Sequence, residues 1–221
     1  MAFLQSAPPR EPFLHAPASV LWLIGVMVAV HLAIYFGLVP EAVLDYLVFV
    51  PARLMDGTDL LGKLVPFVGY IFLHGGAMHL TFNCLWLLAF GPIVARRYGP
   101  GLFLGFFLLS GIVSALLYLA FNWGSTIPVI GASGAISGLM GGGLRMMRWP
   151  GTPSSGRLAP IFSRQILVFS GFWLITNLIF GLAGFDGQTI AWQAHMGGYL
   201  FGLVAISAVD WLRFGRRYSA G

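Results

Sequence analysis

Apolar residues run along this chain in long blocks rather than at alternating positions. Six blocks, at about 18–38, 66–94, 101–121, 131–148, 165–184 and 191–212, reach or approach the ~20 residues a helix needs to cross ~30 Å of hydrocarbon. The fourth is the shortest and the most interrupted. Between the first two lies "VPEAVLDYLVFVPARLMDGTDLLGKLV", residues 39–65, long for a connection and apolar at helical spacing. It predicts one or two short amphipathic helices lying along the membrane surface. The pattern as a whole predicts an all-α polytopic membrane protein, with six transmembrane helices and an interfacial first outer loop.

Composition agrees with this reading. With 58% hydrophobic and 9% charged residues, the chain has too few charges to cover a water-soluble globule. Its net charge of +5 invites a nucleic-acid reading, but the basic residues form no patch with interleaved aromatics, so no nucleic-acid partner is expected. The single Cys84 lies within an apolar run and reads as a small packing residue. Residues 1–17 lack the basic start and apolar stretch of a signal peptide, and read as a short irregular tail. The expected organisation is an N-terminal tail over 1–17, a membrane domain over 18–213 and a C-terminal tail over 214–221.

The basic residues set an orientation. With the N-terminus cytoplasmic, Arg10, Arg96, Arg97, Arg145, Arg148, Arg157, Arg164, Arg213, Arg216 and Arg217 fall inside, leaving only Arg53 and Lys63 outside. Both termini are therefore expected in the cytoplasm, as in a multi-pass protein of a bacterial inner membrane. The second, fourth and sixth helices then begin at the outer face.

Those three helices carry a set of polar residues at one depth: His79 and Asn83 in the second, Ser133 and Ser137 in the fourth, and His195 in the sixth. Ser133 precedes Arg145 by about 18 Å of helix, Asn83 precedes Arg96 by about 20 Å, and His195 precedes Arg213 by about 27 Å. All belong to the outer half of the membrane. Polar groups there cost free energy unless partnered, which makes them functional candidates. The seven carboxylates, Glu11, Glu41, Asp45, Asp56, Asp59, Asp186 and Asp210, are expected in tails, loops or a last helical turn. That disfavours a proton-coupled transporter and leaves a Ser–His–Asp triad without its acid.

A serine and a histidine suffice for nucleophilic catalysis when the imidazole takes the hydroxyl proton. In "GASGA" the glycines around Ser133 leave the backbone open to a substrate peptide, and a turn at Gly131 and Ala132 would present free N–H groups at a helix start to a developing oxyanion. His79 and Asn83, four residues apart on one helical face, supply further donors. Gly134, Gly138 and Gly142, with Gly198 and Gly202, form stripes that let the fourth and sixth helices approach closely and bring Ser133 to His195.

Together, "GASG" opening a glycine-rich helix, "HGGAMHLTFN" in the second helix and "AHMGGYLFG" in the sixth resemble the signature segments of the rhomboid intramembrane serine proteases, in the expected order over roughly residues 66–212. The resemblance implies a six-helix rhomboid-like bundle with Ser133 as nucleophile and His195 as general base and acid. It implies an oxyanion hole from His79, Asn83 and the backbone at Ser133. Gly131 matches the glycine two before the nucleophile, and His74 the histidine that helps hold the outer loop. Ser137 stands where many bacterial members carry an aromatic residue.

Singly, each residue has a packing explanation: a membrane serine often bonds the carbonyl four residues back, a histidine or asparagine often bridges helices, and glycine stripes mark tight helices in many transporters. The joint pattern carries the catalytic reading. The expected activity is a serine endopeptidase that hydrolyses bonds in or beside transmembrane segments of membrane proteins. It works in the lipid bilayer, with no metal, no cofactor and no obligatory protein partner. Two alternatives remain open at this point: a catalytically silent rhomboid-like binder of transmembrane helices, and a metal carrier using His74, His79 and His195. Substrate entry is expected between helices, with Phe172, Trp173 and Phe180 making the fifth helix a candidate gate.

Overall fold

The computed structural model describes residues 16–57, 59–147, 149, 157–184 and 190–218, and these are helical almost throughout. Helix α1 (Ala18–Tyr35) is followed by a connecting segment of short pieces: α2 (Glu41–Leu47), a 3₁₀ turn (Pro51–Leu54), α3 (Leu60–Leu64), α4 (Pro66–Gly69) and a second 3₁₀ turn (Tyr70–Phe72). The bundle is completed by α5 (Ala77–Tyr98), α6 (Pro100–Phe121), α7 (Ser133–Leu144), α8 (Arg164–Ala183) and α9 (Trp192–Tyr218). Of the predicted tail at 1–17, only Ala16 and Pro17 lie among the described residues.

Among those residues five helices, α1, α5, α6, α8 and α9, are long and apolar enough to cross a membrane. The block predicted as a helix over 131–148 is a helix of 12 residues, about 18 Å long and well short of a hydrocarbon core. Every residue from Gly134 to Leu144 is buried, because α5, α6 and α9 surround it. Apolarity here reflects a central position among other helices rather than a lipid-facing span.

The block predicted at 66–94 also divides. Pro66 opens the short α4, and an irregular turn through His74, Gly75 and Gly76 separates it from α5, which runs on to Tyr98. Gly99, at φ +85°, reverses the chain into α6, whose first residue is Pro100, where a missing N–H costs nothing. At the other end of the sequence α9 continues to Tyr218, so Asp210 lies well inside a helix rather than in its last turn. Its carboxylate accepts from Arg97 Nη2 at 2.6 Å and from the Tyr98 hydroxyl at 2.9 Å, fastening the end of α5 to α9. Arg145, expected as a marker of the inner boundary, is buried. It donates to the carbonyls of Ala159 and Leu203 and to Ser207 Oγ, joining the end of α7 to α9 and to the segment before α8.

The connecting segment is stitched to the chain entering α7. Val129 N–H donates to the Phe49 carbonyl at 2.8 Å, Ala52 N–H to the Ser125 carbonyl at 2.9 Å, and Gly131 N–H to the Tyr70 carbonyl at 2.9 Å. Tyr70, fully buried, donates its hydroxyl to the Gly111 carbonyl on α6. These bonds fix the turn from which Ser133 projects. On this segment Val43, Tyr46, Leu60, Leu61 and Leu64 are exposed.

The glycines of α9 bring it into close contact with α7. A Cβ on Gly198 would lie 1.9 Å from the Gly134 carbonyl oxygen, and one on Gly202 would lie 2.0 Å from that of Gly138. Any side chain at either position would hold α7 and α9 apart. Gly141 continues this contact against the Tyr199 carbonyl, and Gly142 faces Ile206 of α9 and Phe106 of α6.

Candidate active site

Ser133 is the first residue of α7, and Gly131 explains how it comes to project there. At φ +117° Gly131 occupies a conformation other residues rarely adopt, and a Cβ on it would meet the His79 ring at 2.7 Å. Ala132 caps the helix with no side-chain hydrogen bond, so the N–H groups of the first turn remain as donors beside the hydroxyl.

His195 lies in the first turn of α9 and meets Ser133 across the glycine contact. Ser133 Oγ and His195 Nε2 are 2.7 Å apart. The other ring nitrogen, Nδ1, is 2.8 Å from Asn177 Oδ1, and Asn177 Nδ2 donates to the Trp192 carbonyl at 3.0 Å. This last bond orients the whole chain of groups. A carbonyl only accepts, so the amide nitrogen of Asn177 faces Trp192 and its oxygen faces the imidazole. The oxygen only accepts in turn, so Nδ1 carries the proton, Nε2 is the acceptor, and the Ser133 hydroxyl donates to it. A hydroxyl hydrogen-bonded to a neutral imidazole nitrogen is a nucleophile whose proton has somewhere to go.

The second-helix pair lies beside this arrangement. Gly75 N–H donates to His79 Nδ1 in a long contact of 3.4 Å, and His79 Nε2 is directed towards Gly131. Asn83 is buried, and one of its amide hydrogens goes to the His79 carbonyl on its own helix at 2.9 Å. His74 packs edge-on against His79, with ring centroids 5.2 Å apart. Ser137 Oγ donates back to the Ser133 carbonyl at 2.7 Å, the ordinary bond of a serine within a helix. Gly198 and Gly202 lie in the α7–α9 contact described above; Gly134 lends that contact its carbonyl, while a Cβ on Gly134 would run into Ser114 of α6.

Asn177 is the residue the sequence reading missed. It is one of only two buried residues on α8, a helix whose other side chains are largely exposed. Of the three bulky residues predicted to gate that helix, Trp173 turns inward and stacks on Tyr199 at 4.4 Å, whereas Phe172 and Phe180 are exposed.

A family model, the Rhomboid domain, matches residues 61–210, which include all of these groups. The chain belongs to the rhomboid family. Among curated rhomboid proteins it is similar to Rhomboid protease GluP of Bacillus subtilis (strain 168), with 34% identity over 139 residues, 63% of this chain and 25% of that protein. It is also similar to Rhomboid protease GlpG of Salmonella newport (strain SL254), with 29% identity over 150 residues, 67% of this chain and 49% of that protein. The matches thus span at most about half the length of these relatives. Rhomboid membership and the five long apolar helices make the chain a multi-pass membrane protein.

Proposed function

We propose that this rhomboid chain is an intramembrane serine endopeptidase that cleaves membrane proteins in or beside their transmembrane segments. The observation that carries the reading is the 2.7 Å contact between Ser133 Oγ and His195 Nε2, in a chain whose relatives are named as proteases. Ser133 is the nucleophile. Its oxygen adds to the scissile carbonyl while its proton passes to His195 Nε2, and the resulting oxyanion is met by the N–H groups at the start of α7 and by His79 Nε2–H. Asn83 joins them once its amide turns from the His79 carbonyl. Collapse of the tetrahedral intermediate expels the amine, which takes the proton from the imidazolium, and leaves an acyl ester on Ser133. Water, deprotonated by His195, adds to the ester and restores the serine.

Such a site needs water within a membrane, supplied through an opening at the outer face, with both termini in the cytoplasm. A substrate helix must unwind to expose its carbonyl, so substrates carry helix-weakening residues near the outer end of their span, and the crowded glycines favour a small residue at the cut. The chemistry requires no metal. The test is cleavage of a transmembrane reporter by purified, detergent-solubilised protein in the presence of chelator. Turnover by wild type and none by Ser133→Ala is expected; full activity in Ser133→Ala, or complete loss on chelation, overturns the mechanism.

A further inference from the structure

We propose that Asn177, on α8, is a positioning residue that holds His195 in the Nδ1–H form and so leaves Nε2 free to take the Ser133 proton. The inference rests on the proposed protease mechanism and adds to it a third group from a helix outside the α7–α9 contact.

A primary amide buried in an apolar helix needs partners for both ends, and few are to be had on a helix as exposed as α8. Asn177 finds two, and both lie at the start of α9: the Trp192 carbonyl and the His195 ring. The Trp192 bond prevents the amide from turning over, since the reversed amide would set oxygen against oxygen there and N–H against Nδ1 at the ring. A neutral imidazole otherwise populates both tautomers, and the one protonated on Nε2 offers a donor where Ser133 needs an acceptor. Asn177 selects against that form. An asparagine serves here where serine proteases in water use aspartate, and it does so without placing a charge in hydrocarbon.

The same bonds have a packing role, as does the neighbouring pair of Ser170 Oγ and Tyr199 OH at 2.7 Å, so the test must separate the two. Three variants are compared in detergent: Asn177→Leu, which removes both bonds; Asn177→Asp, which keeps an acceptor for Nδ1–H but loses the donor to Trp192; and Ser170→Ala, which loosens α8 from α9 elsewhere. Each is read by kcat and KM on the reporter and by the ¹⁵N resonances of histidine-labelled protein, with His195 assigned by its loss in His195→Ala. Asn177→Leu is expected to lower kcat by about 10- to 100-fold with a smaller change in KM, by analogy with the loss of a partner that orients a metal-bound imidazole. The Nε2–H tautomer of His195 should appear alongside. Asn177→Asp should keep the Nδ1–H resonance and lower kcat less than Asn177→Leu does, and Ser170→Ala should lower the thermal midpoint with the tautomer unchanged. Wild-type kcat and an Nδ1–H imidazole in Asn177→Leu overturn the proposal. So does equal loss of activity in the Leu and Asp variants with the tautomer unmoved, which marks Asn177 as a packing residue. Absence of Ser133-dependent cleavage in wild type overturns the protease reading instead, and the resonances still decide what Asn177 does to His195.

Discussion

Replacing Gly198 by alanine changes one hydrogen into a methyl group three residues after His195, at the point where α9 touches α7. The new Cβ would lie 1.9 Å from the Gly134 carbonyl oxygen and 2.9 Å from its carbon, whereas ordinary contact begins at 3.4 Å. Both partners are helix backbone, so no side chain can swing aside. Relief requires α9 to retreat by about 1.5 Å, the difference between 3.4 and 1.9 Å. Overpacking of this kind costs about 1–3 kcal/mol. Gly134 adjoins Ser133, so a rigid retreat of α9 adds up to the same distance to the 2.7 Å separation of Oγ and Nε2, taking it to as much as about 4.2 Å. A misplacement of about 1 Å is enough to lower an enzyme's rate by about 10²-fold. Gly198→Ala should therefore lose at least two orders of magnitude in kcat/KM on a transmembrane reporter, with a lower thermal midpoint. Gly171→Ala is the matched control: it lies on α8 with no atom within 4 Å of the added Cβ, and should leave both unchanged. A Gly198→Ala protein with wild-type activity and midpoint would show that the glycine contact does not set the Ser133–His195 geometry.

Ser133→Ala and His195→Ala should each abolish turnover, and the double variant should be no worse than either, because nucleophile and base act as one unit; additive losses in kcat would argue against that. His79→Ala should cost about 10²–10³-fold in kcat if it removes one good oxyanion donor, and unchanged kcat would remove it from that role. Gly131→Ala should lose activity and stability together, since it forces φ +117° on an L-residue and drives a methyl group into the His79 ring; unchanged kinetics and thermal midpoint would refute this. Ser137→Ala, which loses only a bond to its own helix, should keep substantial activity, and a loss as deep as that of Ser133→Ala would give Ser137 a role it lacks here.

The hydropathy blocks locate the helices well because lipid imposes length and apolarity on any segment it surrounds. They overestimate the length of α7 because burial among other helices demands the same apolarity without the length. The break at His74–Gly76 is written in glycines that the block average conceals. At the site, Ser133 and His195 are legible because only a few polar residues occur at that depth and glycine stripes join their helices. Asn177 carries the same signal: it follows Arg164 by 13 residues, about 20 Å of helix, which places it level with Ser133. It escapes a search confined to the helices expected to start at the outer face, although an amide on the neighbouring helix needs partners in an apolar setting just as Asn83 does. Its pairing with both Trp192 and His195 depends on how α8 leans on α9, and helical periodicity alone does not specify that.

The central claim, that Ser133 is a nucleophile activated by His195, is tested most directly by covalent labelling. Purified protein in detergent is treated with a fluorophosphonate and the adduct is mapped by peptide mass spectrometry. The expected result is a single adduct on Ser133, absent from Ser133→Ala and strongly reduced in His195→Ala. No adduct in folded wild-type protein, or labelling that persists undiminished in His195→Ala, would contradict it.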